Sequence, residues 1–186
     1  MRVISGSAKG ALLRSPSEET RPTKDRVREA VFNILHHAIE WEGLRVLDLF
    51  CGSGALGIEA LSRGATSATF VDENKFATKC VETNLRQTRL EGTVRSADVF
   101  RFLSQQAKLP HRFDLILADP PYCKDAEERN FGRELVESAD LPVICADAGF
   151  FVLETSRDTE LPENPRWEIL DQRHYGSTMI HFFRLK

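Results

Sequence analysis

The residues best suited to chemistry in this chain are four in a row, Asp119-Pro120-Pro121-Tyr122, directly after the apolar run Phe113-Asp114-Leu115-Ile116-Leu117-Ala118. Two consecutive prolines fix φ and remove two N–H donors, which stiffens the segment and leaves its carbonyls without local partners. A carboxylate next to a rigid carbonyl suits an aromatic exocyclic amine, whose lone pair is delocalised into its ring and is poorly nucleophilic. Asp119 and the Pro120 carbonyl, each accepting one N–H, draw that nitrogen toward tetrahedral geometry and free the lone pair to attack a methyl carbon. Preorganised acceptors and positioning of this kind are the main sources of catalytic power. Tyr122 offers a flat face to an extruded base, a stack worth roughly 1–3 kcal/mol that needs only the ring. The bland alternative is a proline-stiffened turn with a buried tyrosine.

A second cluster lies upstream, in Val46-Leu47-Asp48-Leu49-Phe50-Cys51-Gly52-Ser53-Gly54-Ala55-Leu56-Gly57. It reads as a strand, a glycine turn and a helix start. Gly52, Gly54 and Gly57 satisfy the dinucleotide fingerprint, so an NAD(P)-dependent oxidoreductase must be weighed, as must a tight turn with no ligand. Asp48 shifts the balance, because a carboxylate there suits a cationic ligand better than a pyrophosphate. S-adenosylmethionine carries a sulfonium and an ammonium and no phosphate. The next strand ends in Phe70-Val71-Asp72, where a carboxylate can accept from both ribose hydroxyls. The third ends in Ser96-Ala97-Asp98-Val99, where Asp98 can accept from an adenine amino group or cap the helix that follows. Three acidic strand ends are expected along the carboxyl edge, where open α/β sheets bind ligands. A nicotinamide enzyme has no use for the Asp-Pro-Pro-Tyr loop.

These groups need a scaffold, and the patterning supplies one. Strands are expected at Arg45–Phe50, Ala68–Asp72, Val94–Asp98, Phe113–Asp119 and Phe150–Glu154, with helices between them at Ala55–Arg63, Lys75–Leu90, Val99–Gln106 and Arg129–Ala139. Near-continuous apolar strands indicate a parallel sheet buried on both faces. Trp167–Arg173 and Met179–Leu185, around a turn at Tyr175-Gly176-Ser177, read as an antiparallel hairpin. In front lie a hairpin (Arg2–Ser5 and Ala11–Arg14), a polar loop over Ser15–Pro22, and a helix from Thr23, as N-cap, to about Glu40. The expectation is a doubly wound α/β fold of Rossmann type, a mostly parallel seven-stranded sheet in one domain over residues 1–186, of which 1–42 are the N-terminal extension.

Length and composition agree with one soluble domain of 186 residues, 41% apolar and 28% charged. No apolar run is long enough to span a membrane, and no signal peptide is recognisable. Cys51, Cys80, Cys123 and Cys145 are too scattered for zinc or a disulfide framework, so a reducing cytoplasm is expected. His36 and His37 do not share a helix face, and no metal is expected. Net charge is −3, yet residues 1–28 hold seven basic side chains against three acidic ones, leaving −7 for the remainder. Arg2, Lys9, Arg14 and Arg28 in that basic segment are candidates for phosphate contact, with an ordinary solvated arm as the alternative.

Both motifs together resemble the class I methyltransferase signature with its amino-methylating loop. The run Arg21-Pro22-Thr23-x-x-Arg26-Val27-Arg28-Glu29-Ala30-x-Phe32-Asn33, the block Leu47–Ala65 and the tail Tyr175-Gly176-Ser177-Thr178 are similar to the bacterial 16S ribosomal RNA guanine-N2 methyltransferase family, RsmD. The resemblance covers essentially the whole chain. It implies Asp48, Phe50, Gly52 and Gly54 at the methionine end of S-adenosylmethionine, Asp72 on its ribose, Asp98 and Val99 at its adenine, and Asp119 at both cofactor and amine. Thr23 and Arg26 would lie beside the methionine carboxylate, and for Arg26 and Arg28 RNA contact and salt bridging stay open. The implied partner is 16S rRNA in an assembling small subunit, met by a monomer. An adenine-N6 methyltransferase shares the loop, but sequence-specific DNA enzymes normally need a further recognition domain. Glutamine-amide methyltransferases normally begin the loop with Asn. The acidic pair Glu18-Glu19 leaves the RNA-facing surface open.

Overall fold

The computed structural model describes residues 1–16, 22–123 and 128–186, and of residues 22–24 the backbone alone. Arg21, Glu18, Glu19 and the Thr23 side chain therefore lie outside the described residues. The chain groups into two compact units, Met1–Val99 and Phe100–Lys186.

In the first unit the order is α1 (Pro22–Ala38), β1 (Arg45–Leu49), α2 (Ala55–Ser62), β2 (Ser67–Asp72), α3 (Lys75–Thr88) and β3 (Thr93–Ser96). β2 pairs in parallel with β1, Leu49 opposite Val71, and with β3, Asp72 opposite Ser96, so the carboxyl ends of the three strands stand level. Val46, Leu47, Leu49, Phe70 and Val71 are fully buried. Each such side chain contributes roughly 1.5–3 kcal/mol of burial energy. β2 ends at Asp72 as expected, while β1 stops one residue and β3 two residues earlier than the patterning suggests, which puts Phe50 and Asp98 in loops. Helix α1 starts on Pro22, whose fixed φ suits the first helical position, and Thr23 falls inside the first turn instead of capping it.

The expected N-terminal hairpin is not a two-stranded ladder. Its sole bridge among the described residues joins Arg2 and Leu12. Three backbone bonds cross the hairpin, from the Val3 amide to the Ala11 carbonyl at 3.0 Å, Gly10 to Val3 at 2.9 Å and Leu13 to Met1 at 3.0 Å, and beyond them α2 takes over. Glu59, fully buried, accepts from the Ile4 and Ser5 amides at 2.7 and 3.0 Å, and Ser62 Oγ accepts from Ala8 at 2.9 Å. Arg63 neutralises Glu59 at 2.8 Å.

The second unit contains most of α4 (Val99–Gln106), then β4 (Phe113–Ala118), α5 (Phe131–Glu137), α6 (Asp140–Ile144), β5 (Cys145–Ser156), β6 (Trp167–Tyr175) and β7 (Thr178–Leu185). The order β4-β5-β7-β6 is parallel at its first pairing and antiparallel at the other two. Asn130 caps α5 by accepting from the Arg133 amide at 3.0 Å, so this helix begins after Arg129. The short helix α6 carries no periodicity of its own and escaped the sequence pattern. Phe151 stacks on Phe183 at 5.4 Å and packs at a tilt against Trp167 at 5.5 Å, fastening β5, β7 and β6 together.

Among these apolar side chains sits His181, 4% exposed. Its Nδ1 lies 2.8 Å from the Gln172 amide and its Nε2 lies 3.0 Å from Thr155 Oγ1. A neutral ring accepting from Gln172 and donating to Thr155 satisfies both, since Thr155 in turn donates to the Ser156 carbonyl. Burial lowers this histidine from 6.5 to about 4. The unfolded chain therefore takes up this proton before the folded one. Stability is fully present above about pH 6.5 and falls as pH drops toward about 4. Urea midpoints should show a loss of about 2 kcal/mol between about pH 7 and pH 5 that His181→Gln flattens. Equal pH slopes in the two proteins would exclude His181 as the cause.

Candidate functional site

In the first unit the glycine turn follows the buried end of β1. Phe50 takes a left-handed backbone, φ 54°, which is rare for an aromatic residue and is held by its surroundings. Gly52 follows at φ 53°, and a Cβ there would meet nothing closer than the Phe50 carbonyl at 4.0 Å. The space outside Gly52 is open. The other two glycines serve packing. A Cβ on Gly54 would lie 3.1 Å from Val81, and one on Gly57 would lie 2.4 Å from the Phe70 ring.

Carboxylates hold the turn. Asp72 Oδ2 accepts from the Gly52 amide at 2.9 Å and Oδ1 from Asn74 at 2.9 Å, while the Asp72 carbonyl accepts from Ala97 at 3.0 Å. The ends of β2 and β3 and the glycine turn thus meet at one corner, with Asp98 half-buried beside it and the Val99 side chain buried. Asp48 is placed otherwise than the sequence suggests. It is 1% exposed, and its Oδ2 accepts from the Gly57 amide at 2.9 Å, because the first turn of α2 needs an acceptor there. It supports the loop from beneath. Burial, then Asp48 and Asp72, push the Cys51 thiol upward, so it stays protonated in a negative field.

The second unit holds the Asp-Pro-Pro-Tyr loop. β4 is buried along Leu115–Ala118 and delivers Asp119, half-buried, at its exit. Pro120 is buried, Pro121 exposed and Tyr122 half-buried. The Tyr122 hydroxyl lies 2.6 Å from Glu154 Oε1 and 2.9 Å from Thr178 Oγ1. Burial and the Glu154 carboxylate push its phenol upward, so the hydroxyl is a donor at any ordinary pH.

The family model described as Conserved hypothetical protein 95 matches residues 1–184. Ribosomal RNA small subunit methyltransferase D of Haemophilus influenzae is 32% identical over 193 residues, 99% of this chain and 93% of that one. The chain belongs to the RsmD family. YlbH of Bacillus subtilis (strain 168) is 38% identical over 188 residues, 99% of this chain and 98% of its own. The structure of yhhF from Escherichia coli, 27% identical, matches with a TM-score of 0.81 over 100% of this chain and 98% of that one. The fold is the α/β, Rossmann-like fold of class I methyltransferases.

Within this RsmD-family chain, the open turn at Gly52 and the surrounding carboxylates fit the cationic methionine end and the ribose of S-adenosylmethionine. A pyrophosphate would meet the Asp72 carboxylate, which already holds the Gly52 amide at 2.9 Å, with Asp48 beneath the loop. Arg26 is exposed on α1, as are Arg2, Lys9 and Arg14 on the arm. Arg28 is not available to RNA. It is 5% exposed, donates to the Arg2 carbonyl and lies 3.3 Å from Asp25, because it faces inward on α1 between Val27 and Val31. Asn84 was missed by the sequence reading. Fully buried, it accepts from the Arg14 amide at 2.8 Å and donates to the carbonyls of Arg14 at 3.0 Å and Ser53 at 2.8 Å. A lone amide on the apolar face of α3, among Ala77, Val81 and Leu85, was the signal available.

The division of labour among the glycines is testable. Gly57→Ala drives a methyl into the Phe70 ring and should destabilise by about 1–3 kcal/mol in urea unfolding. Gly52→Ala has room and should cost only the left-handed penalty, about 1–2 kcal/mol, with the greater effect on ligand binding. Unfolding curves in which Gly52→Ala is the more damaging would reverse the assignment.

Proposed function

We propose that this protein methylates the exocyclic N2 amine of a guanine in 16S ribosomal RNA, with S-adenosylmethionine as methyl donor. The observation that carries the reading is the Asp119-Pro120-Pro121-Tyr122 loop at the exit of buried β4, its tyrosine anchored through the hydroxyl. It stands in a chain whose Haemophilus influenzae relative is named for small-subunit ribosomal RNA. In this reading the protein works in the cytoplasm as a monomer, without metal, on RNA of the assembling small subunit.

When bound, S-adenosylmethionine supplies an electrophilic methyl group on a sulfonium. Asp72 keeps lone pairs for the ribose hydroxyls beyond those used by Gly52 and Asn74. Asp98 would accept from the adenine amino group, and Thr23 and Arg26 would serve the methionine carboxylate. Asp119 and the Pro120 carbonyl would each accept a hydrogen bond from one N–H of the amine, which localises the nitrogen lone pair. Tyr122 stacks on the extruded base. The exposed Arg2, Lys9 and Arg14 meet phosphate.

Nucleoside mass spectrometry of 16S rRNA from a deletion strain should show loss of one N2-methylguanosine, restored with the gene. A change in N6-methyladenosine instead would move the substrate assignment to adenine. Under single turnover, Asp119→Ala should cost about 10²–10³ in rate with cofactor affinity within a few-fold, because the carboxylate is needed most as the amine becomes tetrahedral. Asp72→Ala should do the reverse, weakening cofactor binding about ten- to a hundredfold. An Asp119→Ala enzyme within threefold of wild type would refute amino-methylation by this loop.

Neutralising Arg2, Lys9 and Arg14 together should weaken RNA binding and flatten its salt dependence by roughly 2 units of log–log slope, with little change in cofactor affinity. An unchanged slope would leave the arm as solvated surface.

A further inference from the structure

The tail motif Tyr175-Gly176-Ser177-Thr178 has no place in the chemistry above, yet it ends on a side chain that touches Tyr122. Gly176, at φ 62°, lets β6 turn into β7 so that Thr178 opens β7 opposite Ser156 of β5. Glu154 lies two residues back along β5. The loop, β5 and the β6–β7 hairpin therefore converge on one phenol oxygen, with Glu154 at 2.6 Å and Thr178 at 2.9 Å.

The order of protons follows from the groups. An ionised carboxylate only accepts, so the single Tyr122 hydrogen goes to Glu154. The phenol oxygen is then the acceptor, and the Thr178 hydroxyl donates to it. The chain runs Thr178 to Tyr122 to Glu154, and the outer bond is charge-assisted. One neutral acceptor would satisfy a half-buried tyrosine. Two partners from separate elements do more, because they fix the hydroxyl in two directions. The ring has two rotatable bonds, and its Cα follows two prolines of fixed φ. Held at both ends, it has one plane.

We propose that Glu154 and Thr178 are positioning residues for methyl transfer, holding the Tyr122 ring by its hydroxyl so that the target base stacks in a single orientation. This rests on the reading of Tyr122 as the base platform. It also changes what the hydroxyl is for. Stacking alone needs only the ring, whereas a clamped ring loses its orientation when the hydroxyl is removed.

The test is single-turnover methylation of small subunits from a deletion strain at saturating S-adenosylmethionine, with calorimetry of S-adenosylhomocysteine as the check on folding and cofactor binding. Thr178→Val and Tyr122→Phe should each lower the rate about tenfold without moving cofactor affinity. Thr178→Ser, which keeps the donor, should return to within about twofold of wild type. The double variant Tyr122→Phe/Thr178→Val should be no slower than either single one, since both break one unit. In a Tyr175→Phe background Tyr122 is the sole remaining tyrosine. Its alkaline titration, followed by near-ultraviolet absorbance, should then fall to lower pH on Glu154→Gln. Wild-type rates for Thr178→Val and Tyr122→Phe beside a slow Tyr122→Ala would overturn the clamp and leave the platform standing. A Tyr122→Ala enzyme as fast as wild type would overturn the platform itself.

Discussion

A glycine turn tight enough to open space for a ligand turns its peptide groups away from the neighbouring strands, and each of those groups then needs a partner of its own. Much of the first unit is arranged around that requirement. Asp72 meets the Gly52 amide, Asp48 meets the Gly57 amide, and Asn84 meets the Ser53 carbonyl. Each partner comes from a different element, so the turn is fixed from three sides while its outer surface stays clear. The same carboxylates give the corner its sign. A loop supported by two acids attracts a cation and repels a phosphate, although the glycine spacing alone fits either.

The second unit solves a related problem with different means. Two prolines remove donors instead of finding acceptors for them, and the one flexible aromatic side chain in the loop is tied down at its far end. Rigidity there comes from a strand, a hairpin and a turn glycine that stand far from Tyr122 in sequence.

Local patterns were legible and distant ones were not. Buried β1 and β4 announced themselves as apolar runs, and the Asp-Pro-Pro-Tyr loop and glycine turn stood out because their residue types are unusual side by side. What sequence could not show was which way a polar group faces. Asp48 was expected to present its charge to a ligand and is enclosed beneath the loop, where its Oδ2 accepts from the Gly57 amide of α2. Arg28 carries a charge suited to RNA and lies on the inner face of α1. The N-terminal segment alternates like a hairpin and pairs as a short one, yet its Ile4 and Ala8 amides go to Glu59 and Ser62, more than fifty residues away. Glu154 looked like an ordinary strand residue for the same reason, and Thr178 stood out only as the end of a turn motif.

Glu59 also sets how modular this chain is. An arm rich in basic residues invites treatment as a detachable appendage, to be trimmed or replaced by a fusion partner. The amides of Ile4 and Ser5, however, are part of what solvates a fully buried carboxylate. Trimming those first few residues would leave Glu59 with Arg63 but without its two backbone donors, and each hydrogen bond lost from a buried charged group costs about 1.5–3 kcal/mol. The arm is thus an interior component of the fold that happens to show one face to solvent. Its surface side chains are free to vary, while its main chain is not.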